Sequence, residues 1–214
     1  MFKSALESLT PRRRGMARGR DTPAQILDAA EELLQRRGYN AFSYHHIAVR
    51  LGMRNAAIHY HFPAKEDLGV ALIKRYQERF RLWAEEAAQL DCAWVRLRAY
   101  FKTYLKFLEA DCRCCPGGML GAEFDSIPEV MREESRRLMR QHYDWLTAVL
   151  EQGRSKAVLN FSGRAEDKAA EIGAALQGGL QIARLAGPER FHQVLAQLSQ
   201  DLTGSRSYAS ALAS

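Results

Sequence analysis

The sequence predicts an all-α protein. Apolar residues recur at three- and four-residue spacing in the longer segments, as with Ile26, Ala30, Leu33 and Leu34, and this period is typical of helices with one buried face. The strict alternation of apolar and polar residues that a half-buried strand requires does not persist along the chain. We therefore expect an N-terminal three-helix helix-turn-helix domain followed by a C-terminal helical bundle.

The first helix should run from about 22 to 37, because Pro23 suits its first turn and Gly38 ends it. Pro116, Gly117, Gly118 and Pro128 are predicted to interrupt helical structure, with short helical turns near 119–124. Ser162 can cap the penultimate helix. Further long helices are predicted at about 64–89, 91–110, 128–154, 164–186 and 189–202.

The segment 42–68 predicts two short helices joined by a tight turn. Ser43 can cap the first of them, because its hydroxyl can accept a hydrogen bond from an amide of the opening turn. Gly52 suits the left-handed backbone that a sharp turn requires. The second short helix, from about Arg54 to His61, is predicted to place Ala57 and Ile58 toward the core.

This pair of helices is the construction that places a helix in the major groove of DNA. In such a site, phosphate contacts position the protein, and contacts to base edges give specificity. Arg pairs well with guanine, Asn pairs with adenine, and Ala can contact thymine methyls. The predicted base-reading residues are Arg54, Asn55, Ala56, Ala57 and His59. Tyr60 and Phe62 are instead predicted to lie in the core.

The spacing resembles that of the TetR family of bacterial one-component transcriptional regulators. The resemblance covers about the first third of the chain and rests on Ser43-x-x-x-Ile47-Ala48-x-x-Leu51-Gly52 and Ile58-His59-Tyr60-His61-Phe62-Pro63-x-Lys65-x-x-Leu68. Arg54-Asn55-Ala56-Ala57 and His59 depart from the residues that the family more often carries. The resemblance implies DNA contacts at Ser43, His61 and Lys65. The predicted phosphate-contacting residues are Ser43, Tyr44, His61 and Lys65.

The charge distribution favours the same interpretation. Residues 1–62 hold ten Lys or Arg against five Asp or Glu, a surplus of five within the net charge of +6. This surplus predicts a phosphate footprint, although a merely solvated surface would also carry it. Residues 1–21 are predicted to form a flexible basic arm that follows the DNA backbone or, alternatively, a solubilising tail. Without a long apolar segment or a secretory signal, we expect a cytoplasmic protein and no membrane partner.

The chain is predicted to divide into the arm at 1–21, a DNA-binding domain at 22–68, and a sensing and dimerisation domain at 69–214. The resemblance implies that the last two helices pair with those of a second copy into a homodimer. Small residues recur on the penultimate helix, which permits close approach of another helix, although packing within one chain would also use them. These small residues are Ala169, Gly173, Ala174, Gly178 and Gly179.

The middle helices are rich in aromatic residues. The resemblance implies that these helices surround a cavity for a small-molecule effector, whereas aromatic stripes at helical spacing are also typical of a plain core. The residues predicted to line the effector pocket are Trp94, Phe101, Tyr104, Phe124, His142 and Trp145.

Three of the four cysteines cluster at Cys112, Cys114 and Cys115, around Arg113. A neighbouring cation raises the thiolate fraction of a cysteine, so we hypothesise that the cluster, if it is exposed, senses oxidants or electrophiles. The alternative is a chance group of inert residues. A zinc site requires four ligands at recognisable spacing, and we expect neither a metal nor another cofactor.

Together these patterns predict a DNA-binding regulator. The resemblance implies a repressor that leaves a palindromic operator on a small-molecule or redox signal, and nothing in the chain distinguishes repression from activation. The main alternative is a helical thiol-dependent enzyme that uses the Cys112–Cys115 cluster, and a helical adaptor is a third possibility. An enzyme requires a base and an orienting acid near the thiol, and the sequence shows no such arrangement. We therefore expect no catalytic activity.

Overall fold

The computed structural model describes residues 22–110 and 113–204, and every regular element in these two ranges is helical. The predicted all-α class is confirmed. The predicted basic arm and Cys112 lie outside the described residues. The α-helices are α1 (Thr22–Arg37), α2 (Tyr44–Leu51), α3 (Asn55–His61), α4 (Lys65–Ala87), α5 (Ala93–Glu109), α6 (Pro116–Ala122), α7 (Glu129–Ser155), α8 (Ala165–Ala186) and α9 (Glu189–Thr203), with a 3-10 turn at Phe124–Ser126.

The chain forms two compact units, and each unit combines segments that are not consecutive in the sequence. The first unit comprises the described part of Met1–Phe80 together with Pro116–Met139, and the second comprises the described part of Arg81–Cys115 and of Arg140–Ser214. The helix-turn-helix segment therefore packs with a later stretch of the chain that contains α6 and the start of α7. This later stretch lies outside the 22–68 segment predicted to bind DNA.

A buried carboxylate joins α1 to α4 in the first unit. Glu31 is 1% exposed and accepts a hydrogen bond from Arg79 Nη1 at 2.7 Å, while Arg75 Nη1 lies 3.7 Å from it. Because a buried charge is costly without a partner, these arginines allow Glu31 to face the core. Arg75 also pairs with Asp28, and Arg50 of α2 pairs with Glu32. Ion pairs thus fix α1 against both α2 and α4.

Two predicted boundaries are wrong. Pro116, Gly117 and Gly118 lie within α6 instead of interrupting helical structure. A proline lacks only an amide that the first turn leaves unpaired anyway, so it is compatible with a helix start. Ser162 does not cap α8, since the N-cap is Arg164 in an extended conformation.

The second unit contains an aromatic core whose rings meet edge-on or tilted. The Trp83 ring lies 4.9 Å from that of Trp145 and 5.7 Å from that of Tyr100, measured between centroids. Offset and edge-to-face contacts of this kind add to the burial of apolar area. Within the described residues, no helix combines the length and apolar character needed to cross a membrane.

The small residues of α8 divide between two faces. A Cβ placed on Gly173 would lie 3.1 Å from the Tyr143 ring, and one on Gly179 would lie 2.9 Å from the Phe191 ring. These glycines, together with the buried Ala169, serve packing within the chain. Ala174 and Gly178 instead lie on another side of the helix.

Exposed apolar residues continue the side of α8 that carries Ala174 and Gly178. Ala174 is exposed, and a Cβ on Gly178 would meet nothing within 4 Å. Ile182 is 50% exposed, and Leu185 is 90% exposed. The spacing 174, 178, 182, 185 places them on one stripe, which we call the α8 stripe.

Candidate nucleic-acid interface

Helix α2 begins at the predicted residue. Ser43 has the extended backbone of an N-cap, and its N–H donates to Nδ1 of His46 at 3.0 Å. His46 occupies the third helical position, where Glu or Gln completes the usual capping box, and its imidazole takes that role here. The Ser43 side chain remains exposed.

Gly52 forms the turn between α2 and α3. Its φ of 65° and ψ of 34° are left-handed, and its N–H donates to the Ala48 carbonyl as a C-cap. The Met53 N–H bonds to the same carbonyl at 3.0 Å. The sequence prediction for this glycine is confirmed, because an L side chain strains this conformation.

Only one residue of α3, Ile58, is fully buried. Arg54 is the N-cap of this helix rather than a residue of its first turn. The face that the sequence predicted to read bases is open to solvent, since Arg54, Asn55 and Ala56 are exposed and Ala57 is half-buried. Within the described residues, no hydrogen bond or ion pair engages the side chain of Arg54 or Asn55.

Tyr60 was predicted to lie in the core, and this prediction is wrong because it is 83% exposed. Position 60 follows Ile58 by two residues, or about 200° around a helix, so both cannot face the same core. Its ring makes an edge contact with half-buried His61 at 5.1 Å. Tyr60 therefore joins the exposed face of α3, whereas Phe62 is buried as predicted.

His59 is exposed but held in place. Its Nδ1 lies 3.3 Å from the Pro63 carbonyl oxygen, and its ring packs edge-on against Tyr44 at 4.7 Å. Because a carbonyl only accepts hydrogen bonds, Nδ1 carries the proton in this contact, which leaves Nε2 directed away from it. The imidazole thus has a fixed orientation on the predicted reading helix.

Tyr44, a predicted phosphate contact, is buried and bonded within the fold. Its hydroxyl lies 2.8 Å from the Phe62 carbonyl oxygen and 2.7 Å from that of Ala64. Burial, reinforced by the Asp67 carboxylate, raises the pKa of Tyr44 to about 12, so the hydroxyl stays protonated and donates. These bonds tie the start of α2 to the end of α3.

Lys65, also a predicted phosphate contact, is half-buried at the start of α4. Its Nζ donates to the Tyr39 carbonyl at 2.7 Å and lies 4.2 Å from the Tyr39 ring centroid and 4.7 Å from that of Phe42. Burial lowers the pKa of Lys65, and the nearby Glu123 carboxylate opposes this effect. A cation–π site and a carbonyl thus explain a lysine here without DNA.

The residues predicted to line an effector pocket fall in different units. Trp94, Phe101, Tyr104, His142 and Trp145 belong to the second unit, while Phe124 belongs to the first, where Arg136 lies over its ring at 4.9 Å. In the second unit, His142 Nδ1 lies 2.9 Å from the Tyr100 hydroxyl, which lies 3.2 Å from that of Tyr104. Burial lowers the pKa of His142 to about 3. This histidine is therefore neutral at pH 7.

The described cysteines of the cluster, Cys114 and Cys115, are both buried. The Arg184 guanidinium of α8 donates to Cys114 Sγ at 3.1 Å. The sequence suggested Arg113 as the cation beside the thiols, but the bond to Cys114 comes from a residue 70 positions away. Such a donor stabilises negative charge on sulfur.

Comparison with known proteins identifies relatives along most of the chain. A family model described as bacterial regulatory proteins, TetR family, matches residues 26–72, and one described as a tetracyclin repressor-like C-terminal domain matches residues 93–198. A TetR transcriptional regulator from Legionella pneumophila is 30% identical, with 87% of this chain and 100% of that chain covered and a TM-score of 0.79.

Two further proteins are similar to this chain. A TetR-family regulator from Agrobacterium tumefaciens is 32% identical, with 85% of this chain and 97% of that chain covered and a TM-score of 0.80. The transcriptional activator FasR of Mycolicibacterium smegmatis is 32% identical over 101 residues, which is 46% of this chain and 46% of the activator's own length.

The turn glycine provides a test of the local geometry. A Cβ would meet nothing within 4 Å at either Gly52 or Gly121, but only Gly52 has a positive φ. We expect Gly52→Ala to destabilise the protein by about 1 kcal/mol, and Gly121→Ala in α6 to be neutral or to stabilise by up to about 1 kcal/mol. Urea unfolding followed by circular dichroism measures both. Equal effects would contradict the role of the left-handed turn.

Proposed function

We propose that this chain, which belongs to the TetR family of bacterial regulatory proteins and is a DNA-binding transcriptional regulator, reads a palindromic operator with the exposed face of α3. The observation that carries this proposal is that Arg54 and Asn55 are exposed and have no side-chain hydrogen bond or ion pair in the described part of the chain. Both side chains are suited to bidentate contacts with purine edges in the major groove. Tyr60 and the fixed imidazole of His59 extend the same surface.

Phosphate contacts fall to a different set of residues. The exposed Ser43 and the half-buried His61 present polar groups at the ends of the two short helices. Tyr44 contributes indirectly, because its hydroxyl bonds orient α3. Lys65 retains N–H donors beyond the one bonded to Tyr39, so its ammonium can reach a phosphate while it stays anchored.

A second copy of the chain supplies the second reading helix. We assign the pairing surface to the α8 stripe, where Ala174 and Gly178 permit close approach and Ile182 and Leu185 present apolar area to solvent. In a two-fold dimer the reading helices would lie one turn of DNA apart, about 34–36 Å, which matches a palindrome.

Repression is the mode that we propose, with release by a signal received in the second unit, in the cytoplasm where the operator lies. The related FasR is described as an activator, and the same DNA interface serves either mode. The signal is a small molecule that contacts the aromatic and histidine side chains near Tyr100, or an oxidant or electrophile that reacts at Cys114. The hydrogen bond from Arg184 supports the second candidate, because it places a cation on the sulfur that would react.

The first prediction concerns the reading face. We expect Arg54→Ala and Asn55→Ala each to weaken operator binding by about 1–3 kcal/mol while changing binding to a scrambled duplex much less. Arg164→Ala, which removes an exposed arginine of the second unit, is the matched control and should leave both affinities unchanged. Fluorescence anisotropy with fragments selected from the source genome, at fixed salt, measures these affinities. Equal loss on both duplexes would refute base reading by Arg54 and Asn55.

The second prediction concerns assembly. Charge on the α8 stripe, introduced as Ile182→Glu with Leu185→Glu, should convert the dimer to monomer, because it buries uncompensated carboxylates between the copies. Leu82→Glu with Val130→Glu places the same two charges at other exposed apolar positions and should leave the dimer intact. Sedimentation velocity distinguishes the two states. A stable dimer in the double variant would show that the dimer interface is not the α8 stripe.

The third prediction concerns the thiols. If Cys114 receives the signal, operator release by hydrogen peroxide or N-ethylmaleimide should disappear when Cys112, Cys114 and Cys115 are all changed to Ser. Cys92→Ser, at the half-buried N-cap of α5, should respond as the wild type does. Normal release by the triple variant would reject the thiol signal and leave the small-molecule signal in place.

A further inference from the structure

A carboxylate from far along the chain holds the loop between α1 and α2. Glu123 Oε2 accepts a hydrogen bond from the Tyr39 N–H at 2.5 Å, and its Oε1 accepts one from the Asn40 N–H at 3.1 Å. Both carboxylate oxygens are thus used on two successive backbone amides. Gly38 is needed beside them, because its φ is +87° and a Cβ there would lie 2.6 Å from Oε1.

Further hydrogen bonds hold the same loop in place. Asn40 Nδ2 donates to Ser126 Oγ at 2.8 Å, and Ser126 Oγ donates to the Glu123 carbonyl at 2.8 Å. On the other side of the loop, Lys65 donates to the Tyr39 carbonyl at 2.7 Å. Tyr39 is therefore held at its amide by Glu123 and at its carbonyl by Lys65.

The contacts of Glu123 with the loop lie next to the start of the helix-turn-helix pair. Ser43, the N-cap of α2, follows Asn40 by three residues, and Phe42 between them is buried. So short a connection leaves little freedom, because fixing residues 39 and 40 also fixes where α2 begins. The Tyr44 hydroxyl then ties α2 to the end of α3.

We propose that Glu123 is a positioning residue for operator binding, which holds the α1–α2 loop so that α2 and the reading helix α3 meet the DNA in the correct orientation. Glu123 touches neither bases nor phosphates in this role. The inference rests on the proposed function of α3, and it adds to that function a residue outside the helix-turn-helix segment.

Because Glu123 is negatively charged, the direction in which its removal changes operator affinity tests the proposal. A carboxylate on a DNA-binding unit repels phosphates, so the removal of one that is merely solvated should tighten binding or leave it unchanged. Removal of a positioning carboxylate should weaken binding, because contacts made by α2 and α3 are lost. The two roles therefore predict opposite directions.

The experiment compares Glu123→Ala and Glu123→Gln with Asp125→Asn, which removes an exposed carboxylate two residues away. The Gln variant keeps the length of the side chain but has one acceptor oxygen for two amides. We expect both Glu123 variants to bind operator at least roughly tenfold more weakly, the loss of about one good contact. The slope of log K against log salt should fall by about one. Asp125→Asn should bind as tightly as the wild type or slightly more tightly.

Two controls separate positioning from loss of stability. Ile73→Val shortens a fully buried side chain in the same unit, and it should lower Tm without a change in operator affinity or salt slope at 20 °C. Without DNA, amide exchange at Tyr39 and Asn40 should accelerate in both Glu123 variants and stay slow in Ile73→Val.

Folded Glu123 variants that bind operator as tightly as the wild type would overturn the proposal. An equal affinity loss and slope change in Ile73→Val would also overturn it. If the wild type itself showed no preference for selected fragments, the proposed function would fail instead, and the exchange of the two amides would still decide whether Glu123 holds the loop.

Discussion

The DNA-binding unit depends on burial that two very short helices cannot provide alone. Helices of seven and eight residues are unstable in water because nucleation costs more than so few hydrogen bonds return. Ile47, Ile58 and Phe62 therefore anchor α2 and α3 in a core shared with α1 and α4. The Tyr44 hydroxyl adds a polar tie between them. With its inner side fixed in this way, α3 can leave Arg54 and Asn55 without side-chain hydrogen bonds or ion pairs to the described residues.

The charged residues of the DNA-binding unit differ in whether they are paired within the fold. The three acidic residues of α1, Asp28, Glu31 and Glu32, all pair with arginines of α1, α2 or α4. Their negative charge is therefore compensated locally, while Arg54 at the start of α3 has no ion pair with any residue that the structure describes. A polyanion approaching this unit thus meets an exposed cation at the start of α3.

The sequence predicted most of what depends on neighbouring residues. The limits of α1 and α2, the turn at Gly52 and the exposure of Arg54 and Asn55 follow from local spacing and backbone preference. Tyr60 was misplaced because a single buried residue in a short helix gives too little pattern to orient its neighbours.

Contacts between distant positions were beyond a reading of one sequence. Glu123 and Tyr39 are 84 residues apart, and Arg184 and Cys114 are 70 apart, so no local period links them. For Lys65, the sequence motif predicts a contact with DNA, but it does not show the contacts that Lys65 makes within the fold. Only the structure reveals the two aromatic rings and the Tyr39 carbonyl that also hold its ammonium group.

The aromatic core of the second unit has a spectroscopic consequence. All three tryptophans, Trp83, Trp94 and Trp145, belong to that unit, and the DNA-binding unit has none. Intrinsic emission excited at the red edge of the indole band therefore originates from the second unit alone. A single tryptophan introduced beside α3 would give each unit its own optical reporter, so that melting of one can be timed against the other.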